Sequence, residues 1–395
     1  VSGSEMCIRD RMKILIVSKC PTHPTSAGNR WGILAQTQIL KDLGNEIFFL
    51  YIDERPMKHN SLEHLKAYEE TKAYWGEYFF YLRVSQLEKF YFNLIMKYNK
   101  RFHNGYQSCD VNYPHKLTAY VNRLDAQYDF DICIVNYYYL TKLFENISIP
   151  KKALFTHDCF AYKDLVVGER TMAIDANTEA KAMQRSPYIL AVQDQEKYYF
   201  EILSPRSKVY NIYSKYTYQS SPVIGNHNIV FLSGNNSYNI NGLRWFLKEV
   251  FPLIRKHFVD AQCIIAGAIC QMIINDDLGE GVKLIGYVDS PNVLYEQGDV
   301  AINPTYQGTG LKIKTFEAIS YDKVTMVHPH SMKGVFEKDK TSLFFSDKPQ
   351  DWIDFLVKLW RTKEILITDM KKSNGDYMRR MNEFIVNEYI RFLND

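Results

Sequence analysis

Residues 299–318 read DVAINPTYQGTGLKIKTFEA, and this stretch decides the fold. The apolar run that ends at Asn303-Pro304 predicts a short buried strand, and the residues after the two glycines are expected to begin a helix. Strands that alternate with helices are typical of parallel sheets, because parallel neighbours need a crossover connection. The stretch therefore predicts one βα unit of a doubly wound α/β fold.

Two series of such units follow each other along the chain. The first opens with a strand in KILIVSKCP (13–21), a helix in ILAQTQILKDLG (33–44) and a strand in NEIFFLYID (45–53). Further strands of this series are predicted at 130–138, 152–158 and 188–196. The second series has a helix over 239–258 and strands at 228–234, 261–268, 282–288, 299–304 and 323–329.

The stretch between the two series is rich in Ser, Pro, Gly and Asn, which is typical of a linker. The opening residues have no apolar core like that of a signal peptide, and the first predicted strand begins right after Met12. We therefore interpret them as a non-native leader or a mis-called start. The predicted divisions are a leader at 1–11, a first Rossmann-like domain at 12–213, a linker at 214–228, a second Rossmann-like domain at 229–375 and a C-terminal helix at 376–395.

Length and composition exclude several classes of protein. The 395 residues are too many for one ordinary core and suit two domains. Forty-eight Lys and Arg against 45 Asp and Glu leave a formal net charge of +3, too little to indicate a nucleic-acid binder. The sequence contains no run of about 18 apolar residues, the length that a membrane span needs. The seven scattered cysteines form no CxxC pair, which favours buried thiols in a reducing cytosol over disulfides.

Residues 57–116 differ from the rest of the first series. They are dense in aromatic residues, mildly basic and helical in composition. Two interpretations remain open: the aromatic side chains pack the helical layer of the first domain, or they form an amphipathic surface that docks on anionic lipid or an apolar acceptor.

The loop that follows the strand at 299–304 has the composition of a phosphate site. Gly308 and Gly310 allow the backbone to approach a bulky anion, and the helix that follows presents free N–H groups. Lys312 and Lys314 add positive charge, and Glu317 lies three residues beyond Lys314 on the same helix. The alternative interpretation is a glycine turn with an ordinary surface ion pair.

This segment resembles the donor-binding stretch of GT-B fold glycosyltransferases, especially the family 4-like group (glycosyl transferases group 1). In that group a strand is followed by G-T-G-[LI]-K-x-K-x-x-E-A, which residues 308–318 match. Other segments resemble the group in the same order, from Met12 to about Gly334: residues 12–53, 156–158, 188–196, 229–254 and 282–288. The resemblance implies two Rossmann-like domains that face a cleft, with the C-terminal helix crossing back to the first domain.

The resemblance implies roles for residues on the donor side. Lys312, together with Lys314, would hold the donor diphosphate, and Glu317 would bind the donor ribose or sugar. Glycines would let the backbone approach the phosphates from both domains. This part of the donor-binding set contains Gly28, Gly234, Gly308, Thr309 and Gly310.

The resemblance also implies base and acceptor contacts. Gly286, Tyr287 and Val288 would line the nucleobase through backbone groups. His157 and Asp158 follow a strand of the first domain and would act as catalytic residues that contact the sugar or acceptor. A structural hydrogen bond is the alternative role for His157.

Two features bear on metal use and stereochemistry. Many relatives carry two glutamates separated by seven residues, whereas this chain has Gln307 and no first glutamate, which leaves retention or inversion open. Asp129-Phe130-Asp131 has the D-x-D form by which another glycosyltransferase fold binds metal, but it precedes a strand, at the edge away from the expected ligand site. Lysines and a helix dipole can stabilise a leaving diphosphate, so no metal or other cofactor is expected.

Together with the residues above, the resemblance implies a cytoplasmic, metal-independent hexosyltransferase that moves a sugar from a nucleoside diphosphate sugar to an acceptor hydroxyl, in cell-envelope polysaccharide or glycolipid synthesis. Its predicted partners are the nucleotide sugar, a saccharide or lipid-linked saccharide and, peripherally, the inner membrane surface, but not nucleic acid. A sugar-nucleotide epimerase of the same fold and a degenerate relative that only binds a partner or polysaccharide remain alternatives. A dinucleotide oxidoreductase is disfavoured because neither first loop contains GxGxxG.

Overall fold

The structure of the protein is a computed structural model that describes residues 11–25, 28–54, 62–161, 163, 173–362 and 364–395. The predicted leader, residues 1–11, therefore lies outside the described residues except for Arg11. The chain divides into two compact units, one made of Val1–Ser214 with Val386–Asp395 and the other of Lys215–Ile385. Each unit contains one parallel sheet with helices, so the predicted fold class is confirmed.

The sheet of the first unit has seven strands, all parallel, in the order β3-β2-β1-β4-β5-β6-β7. Helices that cover both faces of a parallel sheet bury its strands, and β1, β2 and β4 are buried along nearly their whole length. The strand order reverses between β1 and β4, which makes their carboxyl ends the expected ligand position. The strands are β1 (Lys13–Ser18), β2 (Glu46–Asp53), β3 (Phe79–Arg83), β4 (Ile132–Asn136), β5 (Lys151–Phe155), β6 (Tyr188–Ala191) and β7 (Lys208–Asn211).

The helices of the first unit, as far as the described ranges show them, are α1 (Gly28–Asp42), α2 (Leu62–Trp75), α3 (Gln86–Phe102), α4 (Leu117–Tyr128), α5 (Ala176–Gln184) and α6 (Asp194–Leu203), with 3₁₀ turns at Gly76–Tyr78 and Tyr138–Glu145. The prediction that residues 57–116 are helical was wrong for β3. Its sequence, FFYLR, is a five-residue aromatic run that pairs with β2 at the edge of the sheet. Such a short apolar run has no periodicity that separates a strand from a helix.

The sheet of the second unit has six parallel strands in the order β10-β9-β8-β11-β12-β13. Its strand order reverses between β8 and β11, so the loops after these two strands are the expected ligand loops. The strands are β8 (Asn228–Leu232), β9 (Gln262–Ala266), β10 (Val282–Gly286), β11 (Val300–Asn303), β12 (Val324–Val327) and β13 (Phe344–Phe345).

The helices described in the second unit are α7 (Ser237–Trp245), α8 (Phe251–His257), α9 (Ile269–Ile273), α10 (Asn292–Tyr295), α11 (Ile313–Ser320), α12 (Pro349–Arg361) and α13 (Ile365–Asn394), with 3₁₀ turns at Pro329–Met332 and Lys338–Lys340. The helix predicted over 239–258 is α7 and α8, joined by a π-helical turn at Phe246–Val250. Pro252 follows this turn, and it lacks the N–H group that an α-helical bond to residue 248 would need.

The last helix, α13, begins at Ile365 rather than at residue 376, and its final residues belong to the first unit. There the carboxylate of Glu388 accepts a hydrogen bond from the backbone N–H of Asn211 at 3.1 Å, and the Lys151 ammonium donates to the carbonyl of Phe392.

The described residues can be compared with two expectations, which are free cysteines and the absence of a membrane span. The six cysteines among them are free thiols, and all except Cys20 are buried. No helix in the same ranges is both long enough and apolar enough to cross a bilayer.

Gly242 of α7 is a point of very close backbone approach in the second unit. A Cβ atom at this position would lie 2.7 Å from the carbonyl oxygen of Pro304 and 2.9 Å from the Cα of Thr305, in the loop after β11. The missing side chain therefore allows α7 to lie directly against this loop.

We expect Gly242→Ala to lower the free energy of unfolding of the second unit by about 1–3 kcal/mol, because the helix must move away from the loop. Chemical denaturation followed by tryptophan fluorescence would measure the change. Gly234→Ala is the matched control, since a Cβ there meets no protein atom within 4 Å. Equal stability of the two variants would contradict this account of the contact.

Candidate functional site

The glycine loop after β11 is held in place by its neighbours. Gly308 has φ +89°, and a Cβ there would lie 2.9 Å from the ring of Tyr238 on α7, so only glycine fits without rearrangement. His330, in the turn after β12, donates from Nε2 to the Gly308 carbonyl at 2.7 Å. The amide of Asn241 donates to Oε1 of Gln307 at 3.3 Å. The loop is therefore tied to two other elements at the same edge of the sheet.

Lys312 organises the loop from inside. Its ammonium donates to the carbonyls of Thr309 at 3.0 Å and Gly310 at 3.3 Å. The start of α11 is fixed to the end of β11 by a hydrogen bond from the Asn303 amide to Thr315 Oγ1 at 3.0 Å. The Lys312 ammonium thus binds the backbone of the loop, a contact that the sequence did not indicate.

Lys314 and Glu317 lie on the first turns of α11, and both are partly buried. Burial lowers the pKa of Lys314 to about 8, although the charge of Glu317 opposes this shift. Burial raises the pKa of Glu317, whose Oε1 accepts a hydrogen bond from the hydroxyl of Tyr295 at 2.9 Å. Within the described ranges, the Lys314 ammonium has no hydrogen bond, and no carboxylate oxygen lies within 4 Å of it. It is therefore a cation available to a ligand.

The predicted base-binding segment adjoins this cluster. Gly286, with φ +71°, accepts a hydrogen bond at its carbonyl from the N–H of Gly267 at 2.7 Å. The side chain of Val288 packs against an apolar group that includes Tyr295, the partner of Glu317. Tyr287 is 74% exposed. The fold therefore brings the end of β10 and the start of α11 to one place.

Gly234 follows β8 and precedes α7. A Cβ atom at this position would have no protein atom within 4 Å. The helix that follows is capped by Asn236, whose side chain accepts from the N–H of Asn239 at 2.9 Å. Gly234 and the glycine loop thus lie at the ends of β8 and β11, the two strands at the switch point of the second sheet.

Gly28, His157 and Asp158 belong to the first unit. Gly28 begins α1, and the next residue, Asn29, donates from its amide to the sulfur of Cys20 after β1 at 3.3 Å. His157 follows β5, and its Nε2 lies 2.8 Å from the Oδ1 atom of Asn136 at the end of β4. The first unit therefore places Gly28 and His157 at the carboxyl edge of its own sheet.

The protonation of His157 follows from this hydrogen bond. The Asn136 amide nitrogen donates to the Val17 carbonyl at 3.2 Å, so the Asn136 oxygen must accept from His157. Nε2 of His157 consequently carries the proton, and Nδ1 carries a lone pair with no hydrogen-bond partner in the described part of the chain. Burial lowers the pKa of His157 to about 3, so the ring is neutral near pH 7.

Two strained residues lie at these strand ends. Tyr137 has φ +73° and ψ 148°, a region that is essentially restricted to glycine, and His157 has φ +62°. Their rings stack with centroids 4.4 Å apart. Backbone strain of this kind costs about 1–3 kcal/mol per residue and clusters at functional sites, which supports a role for this edge.

Asp158 has the contacts of a turn cap. Its Oδ1 accepts from the N–H of Cys159 at 2.8 Å, and its Oδ2 lies 3.5 Å from the Lys163 ammonium. The same turn is anchored by Glu179, a buried carboxylate that accepts from the N–H groups of Phe160 at 2.8 Å and of Ala161 at 3.1 Å. These contacts favour a structural role for Asp158, and its predicted catalytic role stays a prediction.

The sequence did not identify several residues that shape these sites. Tyr238, Tyr295 and His330 belong to elements other than the glycine loop, and nothing in their local sequence marks them. Asn136 did carry a signal, because asparagine is unfavourable in a strand and this one ends an apolar run. Tyr137 follows directly and has no such signal.

The D-x-D motif lies at the amino end of β4. Asp129 ends α4 with φ +55°, and Asp131 accepts a hydrogen bond from the N–H of Lys13 at 2.7 Å. Its interpretation as the entry to a strand agrees with these contacts. In the ranges that the structure covers, no group of three or more His, Cys, Asp or Glu could hold a metal ion. The expectation that no cofactor is needed stays a prediction.

Sequence comparison finds a family model that matches much of the second unit. Residues 226–362 match the family model described as Glycosyl transferases group 1. A Klebsiella pneumoniae protein, described as an uncharacterized 44.6 kDa protein in the cps region, is 22% identical over 338 residues, which cover 78% of this chain and 80% of that protein.

Solved structures extend the likeness to the whole chain. TarM of S. aureus is similar with a TM-score of 0.69 and 10% identity, covering 98% of this chain and 99% of that chain. HepE of Anabaena, in complex with UDP and glucose, is similar with a TM-score of 0.62 and 12% identity, covering 97% of this chain and 99% of that chain. Likeness at such low identity shows a shared fold.

Residues 226–362 therefore match the model of the glycosyl transferases group 1 family, and the chain shares the GT-B fold of the similar solved structures. The resemblance found in the sequence is confirmed. Family and fold together support sugar transfer as the activity.

We expect His157 to remain neutral from pH 5 to pH 8, because burial holds the pKa of its imidazole at about 3. Nitrogen-15 NMR of histidine-labelled protein should show a protonated Nε2 and an unprotonated Nδ1 that do not shift across this range, with His157→Gln to assign the signals. A titration with a midpoint near 6.5 would contradict the proposed hydrogen-bond arrangement.

Proposed function

We propose that the protein transfers a hexose from a nucleoside diphosphate sugar to a hydroxyl group of a saccharide or lipid-linked saccharide. The observation that carries this proposal is Lys314, a partly buried ammonium without a protein partner, at the start of α11 and directly after the glycine loop. A partly buried ammonium without a hydrogen bond or a close ion pair is unfavourable in the ligand-free protein, and a diphosphate would supply both.

The proposed reaction needs a group that stabilises negative charge on the donor. The acceptor oxygen forms a bond to the anomeric carbon while the bond from this carbon to the diphosphate breaks, and the proton of the acceptor hydroxyl passes to solvent. The leaving diphosphate gains negative charge, which Lys314 and the positive end of the α11 dipole would stabilise. Lys312 supports this geometry by holding the carbonyls of the loop, and no metal enters the proposed step.

Glu317 fits a contact with the donor ribose or sugar. One carboxylate oxygen accepts from Tyr295, which fixes the side chain and leaves the other oxygen to accept a hydroxyl proton. The Lys314 charge favours the ionised carboxylate, although burial alone raises its pKa. Val288 and Gly286 lie beside this cluster and support the proposed base site.

His157 fits a sugar or acceptor contact better than a general base. A pKa of about 3 makes the imidazole a weak base at neutral pH, whereas its Nδ1 lone pair can accept a hydrogen bond from a hydroxyl group. We therefore propose that His157 orients a hydroxyl and does not remove the acceptor proton.

The comparisons support the choice of ligands to test first. The HepE structure is described as a complex with UDP and glucose, and a TarM structure as a complex that includes UDP. The relative from the cps region supports polysaccharide synthesis as the setting. A cytoplasmic enzyme in this setting would meet lipid-linked acceptors at the inner membrane surface, so the proposal includes peripheral membrane contact.

We expect calorimetry against a panel of nucleoside diphosphates to show binding of one of them, with UDP tested first. Lys314→Ala should weaken this binding by about 10- to 150-fold, since a hydrogen bond to a charged group contributes about 1.5–3 kcal/mol. Glu317→Ala should weaken it too, whereas Lys338→Ala, which removes an exposed lysine of the same unit, should not.

The same proteins distinguish the alternatives. Release of nucleoside diphosphate that depends on a saccharide acceptor supports transfer, and an isomerised donor without acceptor indicates an epimerase. Nucleotide binding without either product indicates a degenerate binding protein, for which the missing first glutamate at Gln307 provides a reason. If no nucleotide binds the intact protein, the proposed donor site is wrong.

We expect the affinity for UDP to fall as the pH rises from 7 to 9. A lysine with a pKa of about 8 carries its charge at pH 7 and loses it above pH 8, so binding should weaken by up to about ten-fold per pH unit there. The phosphate groups titrate near pH 6 and stay ionised throughout. Calorimetry on Lys314→Arg, which keeps its charge, should show a flat profile; a flat profile for the unmodified protein would contradict the assignment of Lys314.

A further inference from the structure

Helix α3 (Gln86–Phe102) is attached to the first unit through a narrow inner face. Only Glu88 and Phe92 of its 17 residues are buried. The Phe92 ring joins the hydrophobic core of the first unit, and the Glu88 carboxylate accepts from the N–H of His115 at 2.8 Å. The Asn99 amide donates to Gln107 at 2.8 Å. These contacts attach the helix to the first unit at a few points, and most of its surface faces away from the core.

The outer face of α3 is apolar, whereas the outward face of a surface helix is usually polar. Six large side chains on it are each between 55% and 83% exposed: Leu87, Phe90, Tyr91, Leu94, Tyr98 and Phe102. Their spacing of one, three or four residues places them along one side of the helix, over a length of about 25 Å. Contiguous exposed apolar surface of this extent marks an interaction site. We call these six residues the α3 stripe.

Helix α4 packs on the same core as α3 but has no apolar outer face. Helix α4 (Leu117–Tyr128) buries Leu117, Val121 and Leu124 against the same core. None of its residues is among the exposed large apolar side chains of the described ranges. A row of six such side chains belongs to α3, whereas α2 exposes three large apolar side chains and α6 exposes two.

The charges around the α3 stripe have one sign. Lys97, Lys100 and Arg101 are exposed. By helical periodicity Arg101 lies within the α3 stripe, Lys97 lies beside its edge, and Lys100 lies further round the helix. The single acidic residue of α3, Glu88, is buried and bonded to His115. An apolar stripe with basic residues and no exposed acid complements a surface that is apolar inside and negatively charged outside, which is the surface of an anionic bilayer.

We infer that α3 lies in the interface of an anionic phospholipid membrane, with the α3 stripe inserted among the acyl chains near the headgroups and Lys97, Lys100 and Arg101 at the phosphates. The helix is an interfacial anchor and does not span the bilayer. The inference specifies the surface for the membrane contact proposed above, but it is independent of the proposed sugar transfer.

Flotation with lipid vesicles tests the inference on the full chain. We expect the protein to bind vesicles of phosphatidylcholine with about 30 mol% phosphatidylglycerol at least about ten-fold more tightly than vesicles of phosphatidylcholine alone, and less tightly as salt increases. Phe90→Ser/Leu94→Ser should reduce binding to the anionic vesicles by at least about ten-fold, because it removes two inserted side chains. Lys97→Gln/Lys100→Gln/Arg101→Gln should remove the preference for anionic lipid.

The matched control is Tyr198→Ser/Ile202→Ser on α6, which removes two side chains that are 62% and 75% exposed outside the α3 stripe. It should bind vesicles like the unmodified protein. All variants should keep the unmodified melting temperature and UDP affinity, so a failure of membrane binding can be told apart from a failure of the donor site. No vesicle binding by the unmodified protein, equal binding to neutral and anionic vesicles, or equal loss in the control overturns the inference. A dimer that Phe90→Ser/Leu94→Ser dissociates, without vesicle binding, assigns the α3 stripe to a second copy of the chain instead.

Discussion

The structure depends on the parallel pairing of all strands in each sheet. Parallel strands that are covered on both faces must be apolar along their length, so polar side chains can gather only where the strands end. Because all carboxyl ends of a parallel sheet lie at one edge, the loops after β8 and β11 meet there, as do those after β1 and β4 in the first unit. Each sheet thereby concentrates its chemistry at the point where its strand order reverses.

Burial at these edges determines which groups can carry charge. In the second unit, burial lowers the pKa of Lys314 and raises that of Glu317, so neither ion is favoured without the other or a ligand. In the first unit, burial and the amide of Asn136 keep His157 neutral. The edge of the second sheet therefore suits the charged diphosphate proposed for it, whereas His157 suits an uncharged hydroxyl. This division agrees with a reaction in which charge develops on the leaving group.

Two features are unfavourable in the folded protein when no ligand or membrane is bound. They are the strained backbone at Tyr137 and His157 and the exposed α3 stripe. A glycine-like conformation at Tyr137 and an outward row of apolar side chains on α3 each raise the free energy of the folded protein. The surrounding core of the first unit is large enough to maintain both. Their positions, one at a strand end and one on an outer helix face, match the two roles proposed for them, which are substrate positioning and membrane contact.

The sequence by itself determined the α/β class, the two series of strands and the segment from Gly308 to Glu317, since apolar periodicity and a glycine-lysine motif are local properties. The edge strand β3 was missed, because a run as short as FFYLR is ambiguous without its neighbour β2. Only the tertiary structure decided that Lys312 binds the loop while Lys314 has no partner, and that Tyr295 holds Glu317. The contact of Tyr295 with Glu317 joins two helices, and the orientation and burial of the lysine side chains decide the partners of Lys312 and Lys314. The local sequence pattern records none of these.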